Sequence, residues 1–160
     1  MKFGPVPVAD AAGAVLAHSV TAGDLRLKKA RRLTADDVAR LADAGVEEVV
    51  VARLDDADIG EDEAAARIAA AFVMSGIVVK TAATGRVNLH ASAAGVFRVD
   101  AARVDELNAL DPTVTLATVA DYASVEAGQM VATVKIIPFA VPSRLVDRVV
   151  ETAGGAEIMG

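Results

Sequence analysis

Short valine-rich runs, separated by helices at irregular intervals, constrain the fold of this chain more than any other feature of its sequence. The segments 46–51, 114–119 and 130–137 have the length and the β-branched content of strands. The runs are not separated by a regular helical crossover, which a doubly wound parallel sheet would need. The sequence therefore predicts an α+β fold, with mixed sheets of short strands and about four helices.

Capping signals locate the predicted helices. Thr34 precedes a helical apolar stripe and is followed three residues later by Asp37, which is an aspartate version of the capping box. A second helix is predicted over 61–75, with its acidic residues at the N-terminal end, where the helix dipole favours them. Asp100 and Ser143 predict the caps of a third and a fourth helix.

An acidic run divides the chain, since residues 55–63 include six acidic residues in nine positions. We predict a strand–helix–strand subdomain over 1–54 and a strand-rich α+β subdomain over 62–160, which could also form one compact domain. The run could suggest a cation site, but its Gly60 is misplaced for a calcium loop. A solvated linker followed by a helix N-terminus explains it without a metal ion.

The composition excludes several classes of site. The 160 residues include no Cys, so a disulfide, a cysteine zinc site and a thiolate nucleophile are impossible. The two histidines, His18 and His90, form neither an HxH nor an HExxH motif. Phosphate-binding glycine loops and serine nucleophile motifs are missing as well. The sequence therefore predicts neither catalytic residues nor metal ligands, and we expect no enzyme activity from this chain alone.

Charge and hydropathy argue against nucleic acids and membranes as partners. The formal net charge of −6 makes the chain a poor general binder of nucleic acid. No segment approaches the roughly 20 uninterrupted apolar residues that cross a bilayer. The N-terminus has two prolines where a signal peptide needs a helical apolar stretch. We therefore expect a cytoplasmic protein with no membrane contact.

Lys135 is the most informative single charge, because it interrupts an otherwise apolar strand. If its side chain faces the core, the ammonium needs a carboxylate or an anionic ligand. If it faces solvent, strand alternation explains it, and Thr133 and Lys135 share one face with Ile137. Both alternatives remain open at the level of sequence.

Two further segments carry polar groups that could contact an anion. Residues 26–32 hold five basic residues, including Lys28 and Lys29, and suit a phosphate or a nucleic-acid backbone. A charged strand edge that discourages aggregation explains the same run without a ligand. In the turn 84–88, Thr84 and Asn88 could contact a ligand, although a simple turn into a strand is the default interpretation.

Several of these stretches resemble molybdopterin-binding proteins of molybdenum cofactor biosynthesis. The resemblance is loose over residues 13–53 and more specific over 128–142, which read GQMVATVKIIPFAVP and look like a signature of one bacterial branch. Residues 84–89 and Asn108 also fit that branch. The sequence departs from the family pattern at Ala30, where a glycine usually follows the lysine pair, so a turn with positive φ there is in doubt.

The resemblance implies a non-catalytic N-terminal domain that helps to bind or handle molybdopterin. In that branch, the region precedes a pterin-binding α/β domain, which is not found in the sequence up to Gly160. The implied cofactor is molybdopterin, and the implied partner is the C-terminal molybdopterin-binding domain. From the chemistry of the side chains, the residues we expect to meet the anionic cofactor are Lys135, Lys28, Lys29, Thr84 and Asn88.

A structural or interaction module without a ligand is the alternative. The valine-rich strands and the small-residue helix at 64–71 could form a homodimer surface. A standalone enzyme is the third and weakest hypothesis.

Overall fold

A computed structural model describes residues 1–155 and 157–160 of the chain. The described residues contain four α-helices and many short strands in small sheets, which confirms the predicted α+β class. They form two compact units, Met1–Asp58 and Ile59–Gly160. The predicted subdomains, 1–54 and 62–160, lie within these units. No helix in the described part of the chain is long and apolar enough to cross a membrane.

The first unit is a small antiparallel sheet with one α-helix and a 3₁₀-helix, Val8–Asp10. Its elements are β1 (Lys2–Pro7), β2 (Val15–Leu16), β3 (Val20–Ala22), β4 (Leu25–Leu27), α1 (Ala35–Asp43) and β5 (Glu48–Arg53). Strand β5 lies between β1 and β2, and β3 and β4 form a separate hairpin. The next strand, β6 (Asp58–Gly60), carries the chain from this unit to the second.

The predicted start of α1 is confirmed. Thr34 Oγ1 accepts a hydrogen bond from the Asp37 N–H, and the Asp37 carboxylate accepts one from the Thr34 N–H, so both halves of the capping box are present. The helix presents Leu41 to a core that also contains Leu16 and Val51. The sequence therefore located this helix because its N-terminal signal is local.

Ala30 adopts a positive φ of 65°, so the turn that the sequence put in doubt is present and is made by an alanine. The Ala30 N–H donates to the carbonyl oxygen of Leu16 at 2.9 Å, which ties the turn to β2. A left-handed conformation costs an alanine about 1–2 kcal/mol, because its Cβ crowds the backbone.

We expect Ala30→Gly to stabilise the first unit by about 0.5–1 kcal/mol, since the relief of strain exceeds the added entropy of the unfolded glycine. Urea unfolding followed by hydrogen exchange within residues 1–58 measures the change. Ala12→Gly is the matched control, because Ala12 is exposed and does not have a positive φ. The control should lose about 0.4–1 kcal/mol. A loss of stability in Ala30→Gly would contradict the prediction.

The second unit contains the remaining elements. They are α2 (Glu61–Ala71), β7 (Val73–Met74), β8 (Ile77–Val79), β9 (Arg86–Ala91), β10 (Gly95–Val96), α3 (Ala101–Leu110), β11 (Val114–Thr118), β12 (Ser124–Val125), β13 (Met130–Ile136), β14 (Ala140–Pro142), α4 (Ser143–Ala153) and β15 (Glu157–Met159).

A four-stranded antiparallel sheet organises this unit, in the order β11–β13–β9–β8. One face of the sheet is apolar, and its Leu89, Leu116 and Val134 are buried in a core that also contains side chains of α2 and α3. The side chains that alternate with these point the other way and are exposed or half-buried. We call this second side of the sheet the open face.

Two predicted helix ends in this unit are wrong. The helix predicted over 61–75 ends at Ala71, because Val73–Met74 pairs in parallel with β15 and the Ser75 N–H donates to the Met159 oxygen. Ser143 is the first residue of α4 and makes no capping hydrogen bond, since Pro142 occupies the N-cap position. The Asp100 cap is confirmed, with its carboxylate accepting from the Arg103 N–H.

Candidate functional site

The open face carries most of the predicted ligand-contacting residues of the second unit. Strand alternation brings polar or charged side chains from β9, β11 and β13 to this side of the sheet. They form rows across the strands, in which residues that pair in the sheet are direct neighbours. The polar members of the face are Arg86, Asn88, His90, Thr115, Thr133 and Lys135.

Lys135 lies on the open face, which decides between the two sequence-level alternatives. Its neighbours Val134 and Ile136 are buried, whereas Thr133 and Lys135 are half-buried and Ile137 is 54% exposed. The alternation with Thr133 and Ile137 is therefore confirmed, and burial of the ammonium in the core is excluded.

Arg86 is directly opposite Lys135 in the sheet, which the sequence did not predict. Two like charges in this position repel each other, so the pair is a cost to the fold. Neither side chain forms an ion pair with any residue in the described part of the chain. Among the described residues, the Arg86 guanidinium reaches only the Thr84 carbonyl and hydroxyl oxygens, both at 3.5 Å, which is long for a hydrogen bond.

Asn88 and Thr133 form the next row. The Thr133 hydroxyl donates to Asn88 Oδ1 at 2.9 Å, and the two residues are paired across β9 and β13. This bond uses the amide oxygen, so the amide nitrogen of Asn88 is left as a donor on the open face. An anion on this face would thus meet an ammonium, a guanidinium and a neutral N–H donor within two rows.

The four strands of the sheet contain no Asp or Glu, although the chain has 22 acidic residues. Lys80 follows β8, and its backbone N–H donates to the backbone carbonyl oxygen of Asn88 at 2.9 Å. This bond places Lys80, a third cation, beside the same rows. The face is therefore locally positive on an acidic protein. Such a patch attracts anions over a distance of about one Debye length.

Thr84 lies in the hairpin turn that leads into β9, beside the Arg86 end of the face. Its φ is 51°, and the following Gly85 has a φ of 71°. The Gly85 N–H donates to Asp62 Oδ1 at 2.7 Å, and its oxygen accepts from the Ile136 N–H at 2.8 Å. The turn is thereby fixed to α2 on one side and to the end of β13 on the other.

Lys28 and Lys29 belong to the first unit, so they are in a different unit from Lys135, Thr84 and Asn88. Both lysines are exposed after β4, and the Lys29 N–H donates to Ser19 Oγ at 3.0 Å. The predicted site residues therefore form two groups, one in each unit.

Another cation of the basic run supports the fold. Arg31 donates from Nε and Nη2 to the two carboxylate oxygens of Asp37, at 2.8 and 2.9 Å. Asp37 is buried, with 1% of its surface exposed. The hydrogen bonds from Arg31 lower the pKa of Asp37 to about 2, and the same bonds to Asp37 raise the pKa of Arg31.

The acidic run has a structural use in the first unit. The amino group of Met1 contacts Asp55 Oδ2 at 2.7 Å and Asp58 Oδ2 at 2.8 Å. This contact lowers the pKa of Asp58. Within the described residues, no group of three or more His, Asp or Glu side chains could hold a metal ion.

A cavity of about 630 Å³ lies beside β15, and the charged groups of Arg98 and Asp121 in its lining are paired with each other. Asp121 Oδ1 accepts from the Val99 N–H at 3.0 Å and from Arg98 Nε at 3.2 Å. The Arg98 guanidinium also stacks over the Tyr122 ring at 4.2 Å. The open face is the better candidate for an anion, because Lys135 and Arg86 lack ion-pair partners in the part of the chain that the structure describes.

Arg86 and Thr133 are the site residues that sequence reasoning missed. Arg86 and Asn88 are two residues apart in β9, which puts both on one face of the strand. What the sequence lacked was the register between β9 and β13, which sets Arg86 against Lys135 and Asn88 against Thr133. Register depends on turn geometry and on the core, so it is not a local property.

A family described as a domain of unknown function, DUF8806, matches residues 5–53. The match covers less than a third of the chain and lies within the first unit. No curated protein matches the chain, and no solved structure matches it. None of these three results bears on molybdopterin.

Proposed function

We propose that this chain is a non-catalytic accessory domain that binds molybdopterin, and that the open face of the second unit holds the cofactor's phosphate. The observation that carries the proposal is the pair Lys135 and Arg86, two cations placed side by side without a carboxylate partner among the described residues. A bound dianion would remove their mutual repulsion and would supply the missing counter-charge.

The donor set suits a phosphate. A guanidinium can donate two parallel hydrogen bonds to phosphate oxygens, and an ammonium adds a point charge. The Asn88 amide nitrogen supplies a neutral donor, and the Thr133 hydroxyl keeps the Asn88 amide in place. These side chains would hold an anion through charge and hydrogen bonds, which supports a binding role.

The pterin rings need a second surface. The four strands carry no Phe, Tyr or Trp side chain on which a ring could stack. We therefore propose that a pterin-binding α/β domain, the partner implied by the sequence resemblance, holds the rings. The cytoplasmic location expected from the sequence is part of the same proposal. Lys28 and Lys29 are proposed as a second, independent anion contact in the first unit.

Calorimetric titration of the chain with molybdopterin, and separately with inorganic phosphate, tests the proposal. We expect Lys135→Ala and Arg86→Ala each to weaken binding of both ligands by about 3–10-fold, because each removes one charge-assisted contact at a partly solvated surface. Raising the salt concentration should weaken binding by the wild-type protein and diminish the difference between variants.

Arg144→Ala is the matched control, since Arg144 is an exposed cation on α4, away from the sheet. It changes the net charge by the same amount and should leave the affinity unchanged. Equal losses of affinity in Arg144→Ala and Lys135→Ala would mean that net charge alone, and not a contact at the open face, causes the effect. If only Lys28→Ala and Lys29→Ala weakened binding, the site would be in the first unit. Absence of binding to both ligands would exclude the proposal as a whole.

A further inference from the structure

The two edge strands of the four-stranded sheet, β11 and β8, differ in the hydrogen bonding of their outward-facing backbone groups. At one edge, the Asn108 side chain of α3 covers β11: its Nδ2 donates to the Leu116 oxygen at 2.9 Å, and its Oδ1 accepts from the Leu116 N–H at 2.7 Å. The outward Val114 N–H donates to the Asp111 oxygen at 3.2 Å. A side-chain amide thus takes the place of a neighbouring strand, which is one way to close a sheet edge.

At the other edge, β8, none of the described side chains bonds to the outward backbone groups in this way. The Lys80 N–H donates to the backbone carbonyl oxygen of Asn88, and the Gly76 carbonyl oxygen accepts from the Ser92 N–H. The backbone groups of Gly76 and Lys80 therefore point inward, towards β9 and the residue that follows it. Antiparallel strands alternate between inward and outward groups, which places the N–H and C=O of Ile77 and Val79 on the outside. Those four groups have no hydrogen-bond partner among residues 1–155 and 157–160.

The side chains along this edge are apolar and exposed. Val78 is 42% exposed and Val79 is 47% exposed, and the three residues of β8 carry no charge. An edge strand that must remain unpaired usually carries a charge, a proline or a bulge. Here the first charge is Lys80, which lies beyond the last outward-facing pair of groups.

We propose that β8 pairs with β8 of a second copy of this chain, antiparallel about a two-fold axis at Val78, to give a continuous eight-stranded sheet. This inference does not depend on the proposed cofactor. In this register, Ile77 exchanges two hydrogen bonds with Val79 of the partner subunit, and Val79 exchanges two with Ile77 of the partner subunit. All four outward groups are satisfied.

The strand is complementary to itself in this register. Val78 is directly opposite its own copy, in a non-hydrogen-bonded pair where side chains approach most closely, so an apolar group meets an apolar group. Lys80 is opposite Gly76, which has no side chain. The two copies of Lys80 are four residues apart along the strands, about 13 Å, which exceeds the Debye length of about 8 Å at physiological salt. The pairing therefore brings no like charges together.

Sedimentation equilibrium of the wild-type chain is the first test. We expect a monomer–dimer equilibrium within the range of about 10 µM to 1 mM, because the paired segment is short. A wild-type chain that remains monomeric over this whole range would overturn the proposal.

Charge substitutions at Val78 test the register. Val78→Lys and Val78→Glu each place like charges directly opposite each other, so each should dimerise at least about tenfold more weakly than the wild type. Mixing the two variants should restore association as a heterodimer, since residue 78 then meets the opposite charge. Two variants that dimerise as well as the wild type would overturn the proposal, and so would a mixture of two monomeric variants that does not associate.

A second kind of variant separates pairing from misfolding. Val79→Pro removes an outward N–H and leaves the bonds to β9 intact, since Val79 does not donate to that strand. We expect it to be monomeric with the far-UV spectrum of the wild type, whereas Val79→Thr, which keeps the N–H, should still dimerise. A folded Val79→Pro variant that dimerises normally would contradict the proposal.

Discussion

Gly85→Ala should destabilise the second unit by about 3–5 kcal/mol, the largest effect that we expect from a single substitution. The φ of Gly85 is 71°, which costs an alanine about 1–2 kcal/mol. In addition, an added Cβ would lie 2.8 Å from the carbonyl oxygen of Ile136. That backbone cannot retreat without breaking the hydrogen bond from the Ile136 N–H to Gly85. Thermal unfolding measures the total loss, and hydrogen exchange assigns it to residues 59–160.

Gly128→Ala is the matched control for the conformational part of this loss. Gly128 is in the same unit and has a φ of 80°, but no atom of the described residues lies within 4 Å of the position of an added Cβ. We expect the control to lose about 1–2 kcal/mol, from backbone strain alone. If the two variants lost equal stability, the close approach of Ile136 would have no energetic consequence.

Asp37→Ala should destabilise the first unit by about 2–3 kcal/mol. The substitution removes two charge-assisted bonds from Arg31 and the bond that caps the Thr34 N–H. The loss stays below that of a fully buried pair, because the Arg31 side chain is 46% exposed and can be solvated again. Urea unfolding with hydrogen exchange over residues 1–58 measures it. The neighbouring Asp36→Ala is the control, since Asp36 is exposed, and it should change stability by less than about 0.5 kcal/mol.

The pH dependence provides a separate readout of the same contact. The pKa of Asp37 is lowered from 3.8 to about 2, with the hydrogen bond from Arg31 as the largest cause. A carboxyl with a lowered pKa in the folded state stabilises the fold above its unfolded pKa and loses that contribution as the pH falls towards the folded value. As the pH falls from 5 to 2, the free energy of unfolding of the wild type should therefore decrease by about 1–2 kcal/mol more than that of Asp37→Ala. Parallel pH profiles for the two proteins would contradict this assignment.

Local signals in the sequence determined much of the secondary structure. The capping box at Thr34 and Asp37, the Asp100 cap and the valine-rich strands at 114–119 and 130–137 each depend on residues close together in sequence, and all are present in the structure. The α+β class follows from the same local patterns, because short strands without regular crossovers leave few other architectures. The solvent-facing position of Lys135 was one of two open alternatives, and the burial of its neighbours decided it.

Contacts between residues distant in sequence decided the rest. The end of α2 at Ala71 follows from the pairing of Val73–Met74 with β15, more than 80 residues later, and no local signal encodes it. The register of β9 against β13 places Arg86 beside Lys135, and the Asn108 amide closes one edge of the sheet while β8 remains uncovered. Local propensity fixes which residues can form a strand, but strand partners and sheet edges are set by packing of the whole unit, which only the tertiary structure contains.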